Sequence, residues 1–95
     1  MYPNLNSDLG GAQIVYCANV LATYVSSTEL SVYIQNTNFG YDSKVFVSTE
    51  SYDPVGVKVS RVRANHIGNN TICVRLFGNN FTSDENMKIS LLVIN

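Results

Sequence analysis

The chain predicts an all-β fold: a single small antiparallel β-sandwich of jelly-roll or immunoglobulin-like topology, with about seven strands. Three observations point there. Gly-Asn-Asn occurs at 68–70 and again at 78–80, and the two copies bracket one strand-like run, Thr71 to Phe77. Glycine and asparagine tolerate the backbone angles of tight turns, while the run between them mixes β-branched and apolar residues with a polar Arg75. Twelve asparagines and twelve valines in 95 residues oppose helix and favour strands broken by turns. Turn signals also recur at intervals of about eight to twelve residues, the spacing of a sandwich or barrel.

The elements follow in order. Met1 to Gly11 reads as an irregular arm, because Pro3, Asn4, Asn6, Ser7, Asp8 and Gly10-Gly11 all favour turns. The domain proper is then 12–95. Ala12 to Ser27 is apolar without a clear period and fits one buried strand, two strands meeting near Asn19, or a helix. Its β-formers, among them Ile14, Val15, Tyr16, Val20 and Val25, favour strands. Leu30, Val32 and Ile34 alternate with Ser31, Tyr33 and Gln35, as in a half-exposed antiparallel strand. After a loop at Asn36 to Asp42 comes Lys44 to Thr49, with Val45 and Val47 inward. Tyr52-Asp53-Pro54 turns the chain.

Val55 to Ala64 changes phase within what reads as one strand. Val55, Val57 and Val59 share a face, but Val62 and Ala64 have the opposite parity, which predicts a β-bulge near Ser60 and Arg61. Ile72, Val74 and Leu76 are in phase. A polar turn at Thr82 to Asn86 precedes the last strand, Met87 to Ile94, which is apolar enough to be paired centrally.

Size and charge bound the function. A chain of 95 residues supports one small core, burying about 60% of its unfolded surface. Charged residues make up 14% against roughly 25% in an average domain, so the surface is largely Asn, Ser, Thr and Tyr. Such a surface suits a protein that lies against another, and also an ordinary polar β-domain. Nothing at the start resembles a secretory signal, and Ala12 to Val25 is too short and polar to span a membrane. The expectation is a soluble chain made in the cytoplasm. Cys17 and Cys73 then stay reduced, although a disulfide remains open if their strands adjoin.

No constellation points to an enzyme or a cofactor. His66, the one histidine, reads as a structural residue in a turn, with no nucleophile motif or phosphate loop nearby. Asp84-Glu85 is a solubilising pair rather than a calcium site, which needs six to eight oxygens. Asn69-Asn70-Thr71 and Asn80-Phe81-Thr82 have the form of glycosylation acceptors, which matter only on a secretory route.

The candidate binding residues are basic and aromatic. Lys58, Arg61, Arg63 and Arg75 fall on two strands expected to pair as a hairpin and to share an outer face. With a pI near 5.6 the chain lacks the basic footprint of a nucleic-acid binder, so the stripe is either solvated or meets an acidic protein surface. Tyr2, Pro3, Leu5 and Leu9 are the arm's contact residues. Tyr41, Tyr52, Asn79 and Asn80 are candidate ligand loops, with Tyr33 a further exposed ring that could anchor an interface.

In general character, a short chain from Met1 rich in Asn, Ser, Thr and Val and nearly all strand, the sequence resembles the small decoration or cement proteins of tailed-bacteriophage capsids. That resemblance implies a non-enzymatic virion protein that binds the outer surface of the particle, its partner the major capsid protein, and reinforces subunit junctions. Lys44-Val-Phe-Val-Ser, Val57-Lys-Val-Ser-Arg-Val and Lys88-Ile-Ser-Leu-Leu-Val-Ile are similar to the strand rhythm of H-type lectin-like domains at phage fibre tips, though the aromatic that commonly follows the last polar position is missing. This second likeness implies a receptor- or carbohydrate-binding tip. A core this small also leads us to expect a homodimer or trimer, with strand addition at an exposed edge as one route.

Overall fold

The computed structural model describes residues 13–49, 54–68 and 70–95. It is all-β, as the sequence predicts. Six strands are present among the described residues: β1 (Ile14–Ser26), β2 (Glu29–Gln35), β3 (Lys44–Thr49), β4 (Val59–His66), β5 (Thr71–Gly78) and β6 (Asn86–Ile94). All pairings are antiparallel and form one sheet in the order β3-β6-β1-β2-β5-β4. The sheet curls until β3 and β4 come into contact without pairing as neighbours. Its two halves face each other across one core, a closure common to small sandwiches and barrels.

β1 makes that closure possible. It is one continuous strand of 13 residues, neither a helix nor two pieces. From Ile14 to Thr23 it pairs with β6, and from Thr23 onward with β2, so it belongs to both halves. Register shifts between Ile14 and Tyr16 and between Tyr24 and Ser26 bend it, as bulges do. The apolar β6 lies between β1 and β3, the central position its composition calls for.

Alternation decides what is buried. Leu30 and Ile34 on β2, Ile72, Val74 and Leu76 on β5, and Met87, Ile89, Leu91 and Val93 on β6 point into the core. Two phenylalanines stop its ends. Phe39, in the loop before β3, is buried and meets the Tyr16 ring edge-on at 5.7 Å. Phe81, in the loop before β6, is buried at the opposite end, where its amide bonds Ser27 O at 3.0 Å.

One element differs from the sequence reading. Val55 to Lys58, read as the start of a strand, belongs instead to a five-residue helix, α1 (Pro54–Lys58). Proline is favoured at the first helical position, where its missing N–H is no loss. The phase break then falls where β4 begins: the register shifts between Val59 and Arg61, so the expected bulge at Ser60 is present. His66 is likewise not in a turn but ends β4, where Nε2 lies 3.3 Å from Ser43 O and ties the β4 edge to the entry of β3.

Candidate binding face

The outer face of β2, β5 and β4 is a small grid fixed by register. Glu29, Phe77 and Arg61 form one row, Ser31, Arg75 and Arg63 the next, and Tyr33, Cys73 and Asn65 the third. The Ser60 bulge sets this arrangement. The extra residue puts Arg61 and Arg63 on the same side as Arg75, while Val62 and Ala64 take the inner side.

The three arginines are held differently. Arg61 stacks its guanidinium 4.6 Å from the centre of the Phe77 ring. Arg75 is half-buried and lies against the Cys73 thiol, with Glu29 and Tyr33 adding to the field. These contacts hold its guanidinium even more firmly protonated than usual, the Cys73 contact being the main cause. Its Nε is buried and has no hydrogen-bond partner. Arg63 is exposed on the edge strand, directly opposite Arg75. No carboxylate among the described residues is within ion-pair distance of any of the three.

Lys58 leaves this group. It ends α1 and reaches 2.6 Å to Glu85 Oε1 and 3.1 Å to Asn80 O, in the loop before β6. Glu85 Oε1 also accepts from the Thr82 amide at 3.0 Å, while the Thr82 hydroxyl lies 2.7 Å from Asp84 Oδ1 and 2.9 Å from Glu85 Oε1. The Lys58 ammonium therefore draws the Glu85 carboxyl below its ordinary value, and the Thr82 hydroxyl does the same for Asp84. A depressed carboxylate stabilises the fold above its unfolded pKa, and that stability is lost as pH falls through the folded value. Melting temperature should therefore fall as pH drops below the ordinary carboxylate range of about 4 to 4.5. Glu85→Gln should melt lower at neutral pH and lose part of that slope; an unchanged slope would show the pair contributes nothing.

The remaining candidates do not converge. Tyr41 is 73% exposed and meets His66 edge-on at 6.0 Å, at the end of the barrel where β5 starts. Asn79 and Asn80 follow the other end of β5, where Asn80 adopts a φ of 63°. Tyr2, Pro3, Leu5, Leu9 and Tyr52 lie outside the described residues. Cys17 and Cys73 are both free: Cys17 is exposed opposite Leu92 on β6, and Cys73 is fully buried between Tyr33 and Asn65.

The other half of the barrel carries a feature the sequence reading missed. Cys17, Phe46 and Leu92 form one outward row over β1, β3 and β6, beside a row of Asn19, Ser48 and Ser90. Cys17, Phe46, Leu92, Ser48 and Ser90 of these rows line an apolar depression of about 220 Å³. With Val45 and Val47 inward, Phe46 had to point out, and that was the available signal.

No group of three or more His, Cys, Asp or Glu among the described residues is placed to hold a metal ion. No helix among them is long and apolar enough to cross a membrane. Comparison with family models, curated proteins and solved structures finds no match to this chain.

Proposed function

We propose that the chain is a non-enzymatic interaction module that docks the outer face of β2, β5 and β4 on an acidic protein surface. One observation carries this reading: Arg63 and Arg75 stand directly opposite each other, with no carboxylate among the described residues in ion-pair reach. Like charges across a strand pair cost stability, so their juxtaposition is better explained by a partner than by the fold. The resemblance to capsid decoration proteins supplies the setting, a virion whose outer shell presents the acidic surface. A sugar-binding tip has less behind it, because Tyr41 and Asn79–Asn80 sit at opposite ends of β5.

The test is retention on the particle. The chain would be expressed with the virus particles encoded in the same genome, and its copy number on gradient-purified particles measured. Wild type should remain bound at a fixed ratio, and Arg61→Ala/Arg63→Ala should be shed while staying folded. Absence of the wild-type chain from the particles would refute the virion setting.

A further inference from the structure

We infer that Arg63 and Arg75 form a two-guanidinium seat for a single carboxylate of the partner, with Glu29 as the chain's own competitor. The inference rests on the docking reading above and gives it a ligand. Arg63 and Arg75 are register partners, so their Cβ atoms are about 5 Å apart and both guanidinia can approach one planar anion. Guanidinium and carboxylate match in geometry as two-pronged donors and acceptors.

The two halves of the seat differ usefully. Arg75 is half-buried and already placed by Cys73 and Tyr33, so little conformational freedom remains to be lost when an anion binds. Its Nε is buried and unpartnered, so an incoming anion has to meet this guanidinium through its terminal nitrogens. Arg63 is exposed on an edge strand and can swing onto a ligand. Arg61 is set apart, because its guanidinium is occupied by the Phe77 ring.

Glu29 tempers the seat. It lies diagonal to Arg75, one row away beside Phe77, and its charge is already felt at Arg75. Glu29 lowers the net positive field at the seat for any anion, and the carboxylate assignment follows from the acidic protein surface on which the face is proposed to dock.

The experiment titrates the chain with a capped hexaglutamate peptide, following backbone amide and arginine Nε–Hε resonances. Arg63→Ala should weaken binding about tenfold, as for loss of a charged hydrogen-bonded pair. Arg61→Ala should change it by less than about twofold, and Glu29→Gln should tighten it about threefold. Arg63→Lys keeps the charge but not the fork, so it should resemble Arg63→Ala. Relief of the like-charge contact should raise the melting temperature of Arg63→Ala by about 2–4 °C, which also verifies its fold.

Equal weakening by Arg61→Ala and Arg63→Ala, or wild-type binding by Arg63→Lys, would overturn the seat while leaving the docking face intact. Tighter, Arg63-dependent binding of inorganic phosphate or oligo-dT would overturn the carboxylate assignment. Failure of the wild type to bind hexaglutamate at all would overturn the docking reading as well.

Discussion

Gly78→Ala is expected to destabilise the fold by about 3 kcal/mol or more, at the upper end of overpacking costs. A Cβ at Gly78 would stand 2.1 Å from the Lys58 carbonyl oxygen and 2.8 Å from the Phe81 ring. The first contact is with backbone and cannot be relieved by a rotamer change. Gly78 pairs with Val59 where β4 begins, beside the bulge at Ser60. The clash therefore falls on the junction of α1, the bulge and the Phe81 stopper. Because a small domain has only about 5–15 kcal/mol in total, the variant should show a large fall in urea midpoint. Gly40→Ala is the control: an added Cβ there meets nothing within 4 Å, and the midpoint should scarcely move.

Leu76→Ala is expected to cost about 2–5 kcal/mol, the range for truncating a fully buried leucine. Leu76 is 0% exposed and in register with Leu30 on one side and Val62 on the other. Its side chain lies where β2, β5 and β4 present their inner faces, and the surrounding ladder cannot collapse into the space. Urea unfolding should show a lower midpoint with an unchanged slope. Leu21→Ala, at an exposed position on β1, should cost far less. Similar losses at both positions would mean that the core lies elsewhere.

These residues also show what was legible in the sequence. Leu76 was readable because strand alternation has a period of two, and Ile72, Val74 and Leu76 keep that phase throughout. The bulge was readable for the same reason: Val62 and Ala64 break parity with Val59, and the extra residue returns them to the inner side, where Ala64 packs on the core while Val62 stays exposed at the edge. Gly78 was read for the wrong property. It looks like a positive-φ turn residue, but Asn70, Asn80 and Gly68 occupy that region, and Gly78 is required by close approach. Helix α1 was missed because Val55, Val57 and Val59 mimic strand alternation over a segment too short to show a helical period. Asp53-Pro54 reads equally well as a turn and as a helix start.

Strand order was out of reach, since alternation tells which face a residue takes but not which strand lies beside it. The same limit divides the candidate site. That Arg61, Arg63 and Arg75 share one face is legible because a hairpin is local. Lys58 was grouped with them although its partner, Glu85, is brought near only by the loop before β6. Glu29 is not legible as part of the site, because its place beside the arginines depends on β2 pairing with β5.

Chemical-shift mapping of the wild-type chain during the hexaglutamate titration tests most directly whether the arginine-bearing face meets an acidic partner. Perturbations should concentrate on Glu29, Ser31, Arg63, Arg75 and Phe77, and should fade as salt is raised. Perturbations centred instead on Cys17, Phe46 and Leu92, or spread evenly over every basic residue including Lys58 and Lys88, would contradict it.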